Sequence, residues 1–178
     1  MRIDPKYFNR FVFIAALFGA ALIVLFTFWN QESREDIFKR RLEMKADSIR
    51  SIYFQNISGN DSVQIQQYEN KWVVLDFWST WAPQSRQSHR ILNRLKKRHP
   101  NKIEIISAAS QDPVNEIKSY IKKHGYPFTF VRARALYRDV NPPGVPTQIV
   151  YSPDGKVTFV WVGYRDSKQY DEFEKILN

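Results

Sequence analysis

Apolar and polar residues in this chain alternate on three different scales, and each scale predicts a different kind of element. Phe11 to Trp29 is a run of 19 residues without a charge. As a helix it covers about 30 Å, the depth of a bilayer's hydrocarbon. From Asn30 to about Arg50 the sequence is charged and contains no Pro or Gly, which also reads as helix. Within it Phe38, Leu42, Ile49 and Ile52 recur at spacings of four, seven and three, a partial apolar stripe. Such a stripe suits a stalk that packs on the following domain or on a second copy. The rival reading is a solvated continuation of the preceding helix.

Beyond Ile52 the pattern shortens. A hairpin is expected over 52–67, turning at Ser58-Gly59-Asn60-Asp61. Residues 72–78 form a near-continuous apolar run, as a central strand buried on both faces requires. A helix over 83–98 follows and is stopped by Pro100. A second apolar strand spans 103–110. Asp112 is expected to cap a helix with Pro113 at its first position, running to His124 and ending at Gly125. Phe128 to Val131 reads as a short strand, Arg132 to Arg138 as a helical turn, and Asn141-Pro142-Pro143-Gly144 as a rigid loop. Strands 147–152 and 157–163 make a hairpin around Pro153-Asp154-Gly155, and a last helix spans about 167–177. Together these predict an α/β sandwich, a central mixed sheet flanked by helices.

Composition narrows the setting. The chain has 178 residues, 43% hydrophobic and 15% aromatic, enough for one packed domain plus an appendage. Arg2, Lys6 and Arg10 precede the first apolar run, and Trp29 closes it in the manner of an interfacial anchor. A cleaved signal peptide is the alternative, but Phe26-Thr27-Phe28-Trp29 offers no small-residue cleavage site. The expected division is a basic tail at 1–10, a transmembrane anchor at 11–29, a juxtamembrane helical stalk at 30–51 and a domain at 52–178. The basic N-terminus favours a cytoplasmic tail with the domain on the periplasmic or extracytoplasmic side. Arg34, Lys39, Arg40 and Arg41 on the far side weaken that bias. The net charge is +9, and residues from Ala46 onward hold 19 basic against 13 acidic residues. This favours anionic partners or a membrane surface without naming one. There is no cysteine, so disulfides and thiolate metal sites are excluded.

The densest local signal is Trp78-Ser79-Thr80-Trp81-Ala82-Pro83-Gln84-Ser85, lying between the strand at 72–78 and the helix at 83–98. Together with the 52–67 hairpin, Gly144-Val145-Pro146-Thr147 and the closing hairpin at 149–157, it resembles the TlpA/ResA-like branch of the thioredoxin-like superfamily over about 125 residues. Those relatives are membrane-anchored thiol oxidoreductases facing the cell envelope. The resemblance implies a thioredoxin-like sandwich and a cis peptide before Pro146, in a loop formed by Val145, Pro146 and Thr147. It also implies a Trp-x-x-Trp-Cys-x-x-Cys active site. Here the two cysteine positions hold Ala82 and Ser85. A dithiol site works because a helix N-terminus lowers the first thiol's pKa and the second thiol resolves the mixed disulfide. Neither alanine nor an unassisted serine can do this.

The remaining candidates carry paired readings. In many thioredoxins an acid at the position of Asp76 serves proton transfer to the buried thiol; with that thiol gone, the structural reading is a hydrogen-bonded buried carboxyl. Pro146 either still presents backbone to an extended segment or is kept for loop geometry alone. Ser85 and His89 are four apart on one helix with Asp76 near, so a hydrolytic triad is formally conceivable, although no oxyanion hole is marked. His99 and His124 have no ligand-spaced partners, so no metal is expected. Arg86, Arg90, Arg94, Lys97 and Arg98 form a basic helix face: a solvated surface, or a dock for an acidic partner or anionic headgroups. Nucleic acid is not expected behind a membrane anchor. Trp78 reads as core and Trp81 as exposed beside the motif, where a large apolar residue suits a partner. The expected function is a redox-inactive, membrane-tethered, protein-binding accessory or scaffold subunit of an envelope complex, without cofactor. The alternative is a thiol-disulfide oxidoreductase whose two cysteines have been replaced by Ala82 and Ser85. The expected contact surface is the vestigial site: Trp81, Ala82, Pro83, Gln84 and Ser85 above Asp76, with Val145 and Pro146 facing them.

Overall fold

The computed structural model describes residues 5–29, 34–59, 61–164 and 168–178, with side chains of 5–12, 27–29, 34, 35 and 169 left undescribed. The chain forms two compact units, Met1–Ser33 and Arg34–Asn178. In the first, helix α1 spans Pro5–Trp29. Its described side chains, 13–26, include exposed Phe13, Phe18, Ile23 and Phe26. Among the described residues no helix is long and apolar enough to cross a membrane. The expected span at 11–29 extends past those side chains at both ends; Arg2 lies outside the described residues, and the side chains of Lys6, Arg10 and Trp29 are among those left undescribed.

The second unit begins with helix α2, Arg34–Arg50. Hairpin strands β1 (Phe54–Gln55) and β2 (Ser62–Val63) follow, and a short 3-10 turn covers Ile65–Tyr68. Asn60 of the expected turn lies outside the described residues. Then come β3 (Trp72–Trp78), α3 (Pro83–Arg98), β4 (Ile103–Ala109) and α4 (Val114–His124). The chain closes with β5 (Thr129–Arg132), α5 (Arg134–Val140), β6 (Thr147–Tyr151), β7 (Val157–Val162) and α6 (Lys168–Leu177). The five-stranded sheet runs β5-β4-β3-β6-β7. β3 pairs in parallel with β4 and antiparallel with β6, so the sheet is mixed.

Strand pleating sorts the core into two faces. Val73, Leu75 and Phe77 of β3 join Ile106, Ile149 and Tyr151 in one cluster, covered by Phe38, Leu42 and Ile49 of α2 and by Leu136 and Val140 of α5. Val74 points the other way, with Ile91, Leu92 and Leu95 of α3 and Tyr170, Phe173 and Leu177 of α6. A third cluster gathers Trp78, Ile117, Tyr120 and Phe130 beneath α4.

The stripe at Phe38, Leu42 and Ile49 is therefore a core stripe. These residues are 3%, 2% and 1% exposed, so α2 packs on the following domain, one of the two packings expected of a stalk, and is not a solvated helix; the compact unit starts at Arg34 rather than at residue 52. Each such burial contributes about 1.5–3 kcal/mol, enough to fix a helix whose other faces are charged. Helix α4 also departs from expectation. It begins at Val114 with Pro113 before it in extended conformation, and Asp112 does not cap it. The ring of Pro113 pushes the preceding residue away from helical geometry, which leaves its carboxylate free to turn to a neighbouring loop. The helix ends at Gly125 in the left-handed region, as the sequence requires. At residues 132–138 the predicted turn is instead the helix Arg134–Val140.

Candidate functional site

β3 ends at Trp78, and the residues that follow form a tight turn into α3. Ala82 occupies the N-cap position with extended backbone and no side-chain cap. Pro83 opens the helix, where its missing N–H costs nothing. Trp81 is 70% exposed, Pro83 and Gln84 are exposed, and Ala82 and Ser85 are buried. The register pairs Phe77 with Thr147, so Pro146 lies one step beyond at the same end of β3. The Val145–Pro146 peptide is cis. Pro146 and Thr147 are buried, Val145 is half-buried, and the Thr147 hydroxyl donates to Gly144 O at 2.8 Å.

The turn is fastened from several sides. Ser85 Oγ accepts from the Ser79 N–H at 3.5 Å. Ser79 and Ser110 hydroxyls meet at 2.7 Å, and Ser110 Oγ donates to Trp78 O at 3.1 Å. One oxygen of Asp112 accepts from both the N–H and the hydroxyl of Thr80, at 2.8 and 2.5 Å, which ties the turn to the start of α4. Arg86 Nη1 donates to Thr80 O at 2.8 Å, so Arg86 reaches back into the turn and does not join the open basic face. Arg98 also leaves that face, pairing with Glu174 of α6 at 2.7 Å. Arg90, Arg94 and Lys97 remain exposed.

Beneath the turn lies a buried polar row that the sequence disclosed only in part. The register sets Gln148 of β6 and Ser107 of β4 on either side of Asp76. All three are essentially unexposed. Asp76 Oδ2 meets His89 Nε2 at 2.8 Å, and Gln148 Nε2 donates to Asp76 Oδ1 at 3.0 Å. His89 Nδ1 meets the Tyr120 hydroxyl at 2.9 Å, and Ser107 Oγ lies 3.2 Å from His89 Nε2. Gln148 also bonds Ser88 through its nitrogen and accepts the Tyr170 hydroxyl at 2.8 Å. Burial pushes the Tyr120 hydroxyl's pKa up, aided by Tyr126 and Asp76, so it stays protonated. The imidazole is also enclosed by rings, with Trp78 4.7 Å and Phe128 5.5 Å away between centroids.

This arrangement answers two readings of the sequence. Asp76 is the hydrogen-bonded buried carboxyl that desolvation demands. The Ser85–His89–Asp76 triad does not form. Both imidazole nitrogens are held by Asp76 and Tyr120, while Ser85 Oγ faces the Ser79 amide. Tyr120, Gln148, Ser88, Ser107 and Tyr170 went unremarked because they come from five separate elements, with no shared spacing to reveal them.

Comparison with known proteins agrees with this geometry. A thioredoxin-like family model matches residues 70–157. The chain is 21% identical over 142 residues to thiol-disulfide oxidoreductase ResA of Halalkalibacterium halodurans, covering 78% of this chain and 80% of that protein. It is 21% identical over 165 residues to thioredoxin-like protein YneN of Bacillus subtilis, covering 88% and 94%. A secreted Mycobacterium tuberculosis disulfide oxidoreductase homologous to E. coli DsbE superposes with a TM-score of 0.61 at 21% identity, covering 74% and 97%. A thiol:disulfide interchange protein of Chlorobium tepidum gives 0.63 at 20%, covering 71% and 93%. From the β3–turn–α3 frame, the cis-proline loop and these matches, the chain carries a thioredoxin-like domain over residues 70–157 and is similar to the ResA-like members of that family.

Proposed function

We propose that this chain is a redox-inactive, membrane-tethered thioredoxin-like protein that binds a protein partner, as an accessory or scaffold subunit of a cell-envelope complex. The observation that carries this reading is the pairing of an exposed Trp81 with a sulfur-free turn of Ala82 and Ser85. Its ResA relatives are named for thiol–disulfide exchange, and that chemistry needs thiolates this chain lacks. The end of β3, the α3 N-terminus and the cis-proline loop still make an edge suited to an extended segment. Backbone pairing there requires no sulfur, so binding can outlast catalysis. Residues 11–29 serve as the anchor, with the N-terminus cytoplasmic and the domain outside, on the strength of the charge-free run and the preceding basic residues.

The test uses the full chain, purified from membranes in mild detergent with whatever protein co-purifies. Trp81→Ala should weaken that association by roughly 2 kcal/mol or more, about thirtyfold, as loss of an interface anchor does. The same chain should reduce insulin disulfides no faster than buffer. Undiminished association in Trp81→Ala removes the proposed edge, and catalysed disulfide turnover removes the redox-inactive reading.

A further inference from the structure

Helix α3 carries six Lys or Arg residues and no Asp or Glu. Three of the six are engaged locally. Arg86 holds Thr80 O, Lys96 pairs with Glu104 at 2.7 Å and Arg98 pairs with Glu174 at 2.7 Å. Arg90, Arg94 and Lys97 are exposed and form no ion pair among the described residues. Their spacings of four and three place them on one stripe of the helix. The stripe continues toward the helix start through exposed Gln87, Gln84 and Pro83, and Trp81 stands at its head.

The stripe is long and narrow. Residues 83 to 97 rise about 21 Å along the helix axis, the length of about six residues of extended chain. On one flank Asp171 and Glu174 of α6 line a cleft of about 210 Å³ shared with Arg94. On the other flank Glu116 Oε2 lies 3.3 Å from the Thr80 hydroxyl near the head of the stripe. A broad anionic plane laid over α3 would press against these carboxylates, whereas a single strand following the stripe would not. The neighbouring field is positive: burial lowers the pKa of His124, and Lys123, His89, Arg86 and Arg90 lower it further.

We propose that the exposed stripe of α3 binds an extended, acidic segment of the protein partner. Its uncharged leading residues meet Trp81 and Pro83, and carboxylates on alternate residues meet Arg90, Arg94 and Lys97. Alternate residues of an extended chain repeat at about 6.6 Å, close to the 6 Å or so of axial rise between Arg90 and Arg94. This rests on the protein-binding reading above and adds the chemistry of the partner.

The probe is a fluorescent decapeptide with four uncharged apolar residues followed by Asp at three alternate positions of its last six, titrated into the full chain in mild detergent. A control peptide carries Asn in place of each Asp. The Asp peptide should bind at least tenfold tighter than the Asn peptide, and at least tenfold tighter in about 0.02 M than in about 0.5 M salt. The triple variant Arg90→Gln, Arg94→Gln, Lys97→Gln should lose at least tenfold in affinity with an unchanged melting temperature, since all three side chains are exposed. Equal binding by wild type and triple variant overturns the proposal, and so does failure of the Asp peptide to bind. It is equally overturned if phosphatidylglycerol vesicles or a short single-stranded DNA bind through the stripe while the peptide does not. If both peptides bind equally and through Trp81, the acidic stripe falls while the protein-binding edge stands.

Discussion

Replacing His89 should expose how much the buried polar row contributes. The ring is fully buried, and Asp76 Oδ2 depends on its Nε2 at 2.8 Å. In His89→Phe the volume is nearly kept, so the change isolates the lost hydrogen bonds from cavity formation. Asp76 then retains only Gln148, at 3.0 Å. A buried polar group deprived of its partner costs about 1–3 kcal/mol. Tyr120 adds less, because its neutral hydroxyl loses a single hydrogen bond. The expected destabilisation is therefore about 3 kcal/mol for His89→Phe and about 4–5 for His89→Ala, which also opens a cavity among Trp78, Tyr120 and Phe128. For a unit of this size, 3 kcal/mol corresponds to a fall in Tm of roughly 6–12 °C. Urea unfolding followed by tryptophan fluorescence gives the number, since Trp78 packs against the replaced ring with centroids 4.7 Å apart. A double-mutant cycle with Asp76→Ala should return a coupling of at least about 1 kcal/mol. If His89→Phe lies within 0.5 kcal/mol or so of wild type, the row is not satisfied through His89 and the reasoning fails.

Leu42→Ala in α2 should cost about 2–4 kcal/mol and Ile37→Ala under about 0.5, since the first is 2% and the second 44% exposed; equal midpoints in urea would show α2 undocked. Gly155→Ala should cost about 1–2 kcal/mol, because φ there is +82° and a Cβ would run into the Arg50 guanidinium. Adding Arg50→Ala should recover only the steric part, and full recovery of thermal stability would contradict the backbone assignment. His124 should titrate below the ordinary 6.5, because burial, then Lys123 and other nearby cations, disfavour its charged form. The unfolded chain then takes up that proton first, so this residue's contribution to stability falls as pH drops below 6.5. An NMR midpoint at or above 6.5 would count against that environment.

The strand at 72–78 and the helix at 83–98 were legible to the residue, because an unbroken apolar run and two prolines leave little choice. The cis-proline loop was legible through resemblance. Asp112 misled because a carboxylate before Pro-Val looks like a cap, whereas Thr80, distant in sequence, competes for it. Arg86 and Arg98 look equivalent to Arg90 and Arg94 on a helical wheel. Only tertiary neighbours, a carbonyl and a glutamate, distinguish them. Of the polar row the sequence offered Asp76 and His89 alone. Gln148 and Ser107 become its neighbours only once strand order and register are set.

The docking of α2 bears on how this protein could be processed. A protease cutting near residue 51 would not release a stable domain, because Phe38, Leu42 and Ile49 would be stripped from the sheet they cover. The burial lost is about 5–9 kcal/mol, comparable to the whole stability of an ordinary domain. A lasting fragment would have to keep Arg34–Arg50 attached, so one beginning at residue 52 is on a route to degradation.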